Sequence, residues 1–162
     1  MASLLVHTID PVFDERSRIL ILGSFPSEKS RESGFFYGHP QNRFWKVLSI
    51  LFNEELPISI EEKKQFLLRR RIALWDVIGS CEIVGSSDAS IKQVVPNDIR
   101  VILNAADIQT IYTVGKTALK YYNKHTLPIT GREAIFLPST SPANAAFGME
   151  KLLEEWKKIL DN

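Results

Sequence analysis

The sequence predicts an α/β fold in three layers, with helices on both faces of a central, mostly parallel sheet of four strands. Three observations point there. The run Arg18-Ile19-Leu20-Ile21-Leu22-Gly23 is apolar without alternation, the pattern of a strand buried on both faces. Strand-like and helix-like patterns alternate along the chain. No internal repeat, low-complexity stretch or linker interrupts the 162 residues, so 1–162 is read as a single domain able to bury a sizeable core.

Each element follows from its own pattern. After the first strand, a Gly/Pro/Ser-rich stretch from Gly23 to Trp45 is read as a loop of about twenty residues, a length that usually signals function. Phe44, Val47, Leu48, Leu51 and Phe52 then recur at helical spacing, with Pro40 and Asn42 fitting the entry. A second helix is expected from Ser59 to Arg70, where Ser59 and Glu62 are spaced as a capping box. Ile72 to Ile78 reads as the second strand, and the polar, Gly-rich segment Gly79 to Asp88 as a loop closing a pocket on the same rim. A short helix is expected over Asp98 to Ala105, a third strand over Thr110 to Val114, and a helix from Gly115 to about His125. Ala134 to Leu137 reads as the fourth strand. Ser141-Pro142 is read as opening a final amphipathic helix, with Leu152, Leu153, Trp156, Ile159 and Leu160 on one stripe.

Composition narrows the function classes. At 44% hydrophobic and 24% charged residues the chain has the balance of a globular protein. No apolar run nears the roughly 20 residues of a membrane helix, and the first residues lack a basic, then apolar, leader pattern. An intracellular, cytoplasmic protein without membrane partners is therefore expected, as a monomer. The single cysteine, Cys81, excludes an internal disulfide and an all-cysteine metal site. Three unclustered histidines predict neither metal nor cofactor. No Gly-x-Ser-x-Gly elbow marks a serine hydrolase of the common α/β type. The net charge of +1 gives no global footprint of nucleic-acid binding, so any DNA contact has to come from a local patch and backbone amides.

In open α/β sheets, sites form beyond the carboxyl ends of the strands, which singles out two loops. The first, Gly23-Ser24-Phe25-Pro26-Ser27 through Gly34-Phe35-Phe36-Tyr37-Gly38-His39-Pro40-Gln41-Asn42-Arg43-Phe44-Trp45, mixes small residues, aromatics that could stack on a planar ring and polar groups that could hydrogen-bond it. The second, Leu137-Pro138-Ser139-Thr140-Ser141-Pro142-Ala143-Asn144-Ala145, sets three hydroxyls before an expected helix start, a plausible phosphate site.

On these residues the sequence resembles the uracil-DNA glycosylase superfamily. The first loop is similar to its Gly-x-x-Pro turn, and Pro40-x-Asn42-Arg43-Phe44-Trp45 is particularly like the mismatch-specific uracil glycosylases. The second loop is similar to the superfamily's C-terminal Pro/Ser-rich motif. The two together look most like the DNA-deoxyinosine (hypoxanthine-DNA) glycosylase branch, over roughly Arg18 to the C-terminus.

The resemblance implies a monofunctional enzyme of base-excision repair that flips a deaminated base out of DNA and hydrolyses its N-glycosidic bond. Damaged DNA is then the partner. In better-known members the third residue of Gly-x-x-Pro is an Asp or Asn that addresses water, and the second motif often opens on His or Asn. Here those positions hold Phe25 and Leu137. The hypoxanthine-type branch suggests Asn42 instead, its carbonyl orienting a water or its amide donating to base or sugar. The competing reading is that Asn42 merely caps the next helix. Ser24, Phe25, Pro26, Phe36, Tyr37 and His39 are the expected base pocket; Phe36 and Tyr37 are the candidates to stack on the flipped base, one of them expected in the core. Ser27, Ser139, Thr140, Ser141 and Asn144 are expected along flanking phosphates, and Asp76 and Ser87-Asp88 could contribute. A uracil or mismatch glycosylase, or a non-catalytic binder of damaged DNA, remains the alternative.

Overall fold

The computed structural model describes residues 3–161; the first two residues of the N-terminal segment considered above lie outside them. Four strands form a fully parallel sheet: β2 (Ile19–Gly23), β3 (Ile72–Asp76), β6 (Thr110–Val114) and β7 (Ile135–Leu137), in the order β3-β2-β6-β7. These are the four strands expected from the sequence. The apolar run of β2 is unbroken because its two faces feed two cores. Ile19 and Ile21 pack with Leu48, Phe66, Leu152 and Trp156 on one side, while Leu20 and Leu22 pack with Ile102, Ile111, Ala118 and Tyr122 on the other. A strand that buries both faces gains nothing from alternation.

The first layer of helices comprises α2 (Phe44–Leu51), α3 (Ile60–Arg69) and α7 (Met149–Trp156). The capping box of α3 is present: the Ser59 hydroxyl accepts Glu62 N–H, and the Glu62 carboxylate accepts Ser59 N–H, each at 3.0 Å. The opposite layer holds α4 (Arg100–Ala105) and α5 (Lys116–Tyr121).

Four local expectations are corrected. The stretch after β2 is not wholly loop: Glu28–Ser33 forms a short helix, α1, capped by the Ser27 hydroxyl and ended by Gly34 in the left-handed conformation. The segment after β3 is a strand, β4 (Ile78–Ile83), in a second, antiparallel sheet of order β1-β4-β5, with β1 at Ser3–Val6 and β5 at Lys92–Pro96. The helix from Lys116 does not end near His125; it widens into a π-type turn over Tyr122–Thr126 and continues as α6 (Leu127–Thr130), stopped by left-handed Gly131. The last helix begins at Met149 on Gly148, not at Ser141-Pro142, so residues 138–148 form one long loop. Its turns are closed by short-range bonds such as Asn144 N–H to Ser141 C=O.

Candidate active site

The carboxyl ends of the parallel strands open onto a cavity of about 970 Å³. Its walls come from the loop after β2 (Gly23 to Ser27), the Phe36-Tyr37 segment, Asn42, the end of β3 at Asp76, the turn Ser86 to Asp88, the entry to α5, and the loop after β7. The two loops singled out from the sequence therefore face each other across one cleft. No cluster of three His, Cys, Asp or Glu side chains with metal-binding geometry occurs among the described residues.

Asn42 joins the two loops. Its Oδ1 accepts Phe44 N–H at 2.9 Å, which secures the first turn of α2, and accepts the Thr140 hydroxyl at 2.8 Å. The helix-entry role and a place in the cleft therefore coexist. With two donors on Oδ1 the carbonyl lone pairs are occupied, so the group Asn42 has left to offer the cavity is its Nδ2 amide. The next residue reinforces the link. Arg43 N–H donates to Thr140 C=O at 3.1 Å, and the Arg43 guanidinium donates to the carbonyls of Ser141, Asn144 and Phe147. With its Nε–H reaching Thr140 C=O as well, one cation gathers four carbonyls of the second loop. Sequence reasoning did not assign Arg43 a role; its place beside Asn42 was the available signal.

Phe36 and Tyr37 part company. Phe36 is 2% exposed and packs edge-on against Phe35, so it is the core member of the pair, as expected for one of the two. The Tyr37 ring stacks on Phe44, with centroids 3.9 Å apart and planes 7° off parallel, and the residue lines the cavity. Tyr37 also has φ +53°, uncommon for a bulky residue, and strain of this kind tends to gather at functional sites. Its hydroxyl is buried without a partner. Burial, and secondarily the Asp76 carboxylate, pushes its pKa well above the ordinary tyrosine value.

Beneath the β2 turn lies a pair of which sequence reasoning named Asp76 as a possible contributor but missed His7. His7, which follows β1, is 2% exposed at its side chain, and its Nε2 lies 2.8 Å from Asp76 Oδ2. Rings surround the imidazole: Phe25 edge-on at 5.9 Å, Phe36 at 6.1 Å and Trp75 edge-on at 6.3 Å. Phe25 thus packs against His7 while also lining the cavity, and Arg31 lies over its ring at 5.8 Å while donating to Pro26 and Gly85 carbonyls. Gly23 has to be glycine here. A Cβ on it would meet Asp76 Oδ1 at 2.5 Å and the Tyr37 hydroxyl at 2.9 Å.

The remaining candidates separate by geometry. Ser24 and Pro26 line the cavity. His39 is not among the lining residues; its Nδ1 accepts Gln41 N–H at 3.1 Å within its own turn. Thr140 lines the cavity but is 1% exposed, and its hydroxyl hydrogen is given to Asn42, so the hydroxyl joins the two loops and is not left to donate to a phosphate. The Ser27 hydroxyl is consumed in capping α1. Ser139 and Ser141 accept backbone N–H groups of their own loop at 3.1 Å, from Ser141 and Ala143, which leaves their O–H hydrogens to donate. The Asn144 amide donates to Ser139 C=O and braces the same loop. Ser87 and Asp88 do line the cleft. Burial raises the Asp88 pKa, against a hydrogen bond from Thr117. Leu137 is fully buried, so the first residue of the second motif carries no polar chemistry.

Comparison with known proteins agrees with this geometry. The Uracil DNA glycosylase superfamily profile matches residues 11–161. The chain is 35% identical over 136 residues to a hypoxanthine DNA glycosylase of Methanosarcina barkeri, covering 83% of this chain and 85% of that one. It is 34% identical over 150 residues to a hypoxanthine DNA glycosylase of Methanosarcina acetivorans, covering 91% and 93%. The solution NMR structure of a Methanosarcina acetivorans protein described as a uracil DNA glycosylase superposes with a TM-score of 0.80 at 31% identity, over 99% of this chain and 100% of that one. A shared profile over almost the whole length, relatives of the same length and a common fold lead to one conclusion: the chain belongs to the uracil DNA glycosylase superfamily.

Proposed function

We propose that this protein excises hypoxanthine from DNA by hydrolysis of its N-glycosidic bond. The observation that carries the reading is the Asn42–Thr140 hydrogen bond of 2.8 Å, which ties the two motif loops together across the cavity with the Asn42 amide left to donate. The names of two relatives at 34% and 35% identity favour hypoxanthine over uracil.

The chemistry follows from what the cleft offers. The flipped base enters the cavity and stacks on Tyr37, which lines it. As the C1′–N9 bond lengthens, its electron pair goes to the base and positive charge gathers on the sugar. The Asn42 Nδ2 donates to the charge building on the base, the kind of donor whose removal costs about 10²–10³ in rate. Water adds to C1′ and loses a proton, while the departing base gains one. Ser139 and Ser141 donate to the flanking phosphates, positioned by the carbonyl grip of Arg43 on their loop.

The test is a single-turnover gel assay on duplexes carrying one deoxyinosine, deoxyuridine or deoxyxanthosine. Cleavable abasic product from the deoxyinosine duplex, at a higher rate than from the other two, is expected. Excision of uracil alone overturns the substrate choice, and tight lesion binding with no abasic product turns the protein into a damage binder.

A further inference from the structure

We infer that the buried His7–Asp76 pair reads the ring N–H of the flipped base, and so separates hypoxanthine from the adenine it arises from. Asp76 is the specificity-determining residue and His7 its positioning residue. The inference rests on the reading of the protein as a glycosylase for deaminated bases and names the group that selects them.

Three observations converge. The Asp76 side chain is 6% exposed, yet it lines the cavity at the carboxyl end of β3. Its Oδ2 is 2.8 Å from His7 Nε2, whereas among the described residues no donor is bonded to Oδ1, the oxygen nearest Gly23. The Tyr37 hydroxyl, the other polar atom over Gly23, is also buried without a partner. A carboxylate nine-tenths buried with a free acceptor oxygen is costly unless a donor arrives. The donor has to come from the cavity.

Hypoxanthine supplies one. Its six-membered ring carries N1–H beside a carbonyl oxygen, a donor next to an acceptor. Adenine reverses both, with a bare N1 beside an amino group. Asp76 Oδ1 accepts N1–H of the first and faces the lone pair of the second. Sites built to hydrogen-bond a substrate N–H reject an analogue lacking it far more strongly than apolar pockets reject a methylene.

A carboxylate oxygen accepts, so in the tautomer that makes this bond Nε2 of His7 is the donor. That bond fixes which oxygen faces the cavity. It also draws charge from the carboxylate, which would otherwise oppose negative charge gathering on the departing base. His7 itself is absent from the cavity wall and acts only through Asp76.

The test compares wild type, Asp76→Ala, His7→Ala and His7→Gln, with thermal melts to establish folding. Two readouts are taken: single-turnover excision from deoxyinosine duplexes, and the ratio of affinities for uncleavable 2′-fluoro-deoxyinosine and 2′-fluoro-deoxyadenosine duplexes. In wild type the ratio favours inosine. Asp76→Ala is expected to lower the ratio and the excision rate by about 100-fold, the effect of losing one hydrogen bond to a charged group. His7→Ala lowers both less, and His7→Gln, whose amide can still donate to Oδ2, recovers most of the loss. Folded Asp76→Ala with the wild-type ratio overturns the inference, as does His7→Gln no better than His7→Ala. Wild type that ignores inosine and excises uracil refutes the hypoxanthine reading instead. The same comparison then moves to uracil against cytosine, whose ring nitrogen also lacks the hydrogen, and an unchanged ratio in Asp76→Ala overturns the pair there.

Discussion

Replacing Asn42 by aspartate separates its two duties. The side chain keeps its shape and an acceptor oxygen at the Oδ1 position, so the bonds from Phe44 N–H at 2.9 Å and Thr140 Oγ1 at 2.8 Å survive. Aspartate is as good an entry residue as asparagine, and a negative charge at a helix start is tolerated. Stability should therefore stay within about 0.5 kcal/mol of wild type. What is lost is the Nδ2 donor, and a negative charge replaces it where the departing base gathers its own. Loss of such a donor costs about 10²–10³ in rate, or about 3–4 kcal/mol of barrier. Asn42→Ala provides the contrast. It forfeits the entry bond and leaves the buried Thr140 hydroxyl without its acceptor, for a cost of about 2 kcal/mol. In a chain of this size that is a melting shift of roughly 4–8 °C. Single-turnover excision from a deoxyinosine duplex, with thermal melts of both variants, reads the two effects apart. Asn42→Asp that folds normally and keeps its rate within a factor of about ten would falsify the assignment of the amide to the leaving base. It would leave Asn42 as a purely structural tie.

Three further outcomes are expected. Gly23→Ala places a methyl group 2.5 Å from Asp76 Oδ1 and 2.9 Å from the Tyr37 hydroxyl, so those side chains must move by several tenths of an ångström. Excision should fall about 100-fold for an overpacking cost of about 1–3 kcal/mol, and a wild-type rate in the kinetic assay would contradict the proximity argument. Tyr37→Phe deletes a buried hydroxyl that has no partner, so stability at neutral pH should hold or rise by up to about 1 kcal/mol in denaturant titrations. The raised pKa of Tyr37 means wild type loses stability as pH climbs from the ordinary tyrosine range towards the folded value, a loss smaller in the variant; equal alkaline loss in both refutes this. Ser59→Ala breaks the capping box of α3 far from the cleft, costing about 1 kcal/mol of stability with excision unchanged; a fall in excision would show that α3 reaches the site.

How much of this was legible without coordinates depended on how local each signal was. The β2 run, the α3 capping box and the stripe of Leu152, Leu153, Trp156 and Ile159 are written in neighbouring residues and were legible there, but Leu160, expected on the same stripe, is exposed and lies with Ile159 in a 3-10 turn past α7. Asn42, Tyr37 and Ser139 could be singled out because they sit in motifs, and each lines the cavity. Boundaries failed where a local cue had two meanings. Ser141-Pro142 looks like a helix entry and is a turn, while Ser27 looks like loop and caps α1. The small antiparallel sheet was invisible for another reason: β1 is four residues long and pairs with β4, Ser3 against Ile83, across most of the chain's first half.

The family and the three-layer plan were determined by the sequence itself, because burial on two faces and two motifs after strand ends leave their marks in consecutive residues. The division of labour inside the site was decided only by tertiary structure. Which of Phe36 and Tyr37 entered the core, which atom of Asn42 remained free, and that His7 would meet Asp76 depend on distances between segments far apart in the chain. His7 and Asp76 are 69 residues apart, and neither carries a local pattern that names the other. Hydrogen bonds act over about 3 Å of space whatever the separation along the chain. The pairing of β1 with β4, continued by His7 N–H donating to Gly79 C=O at 2.7 Å, brings His7 to the end of β3 where Asp76 lies.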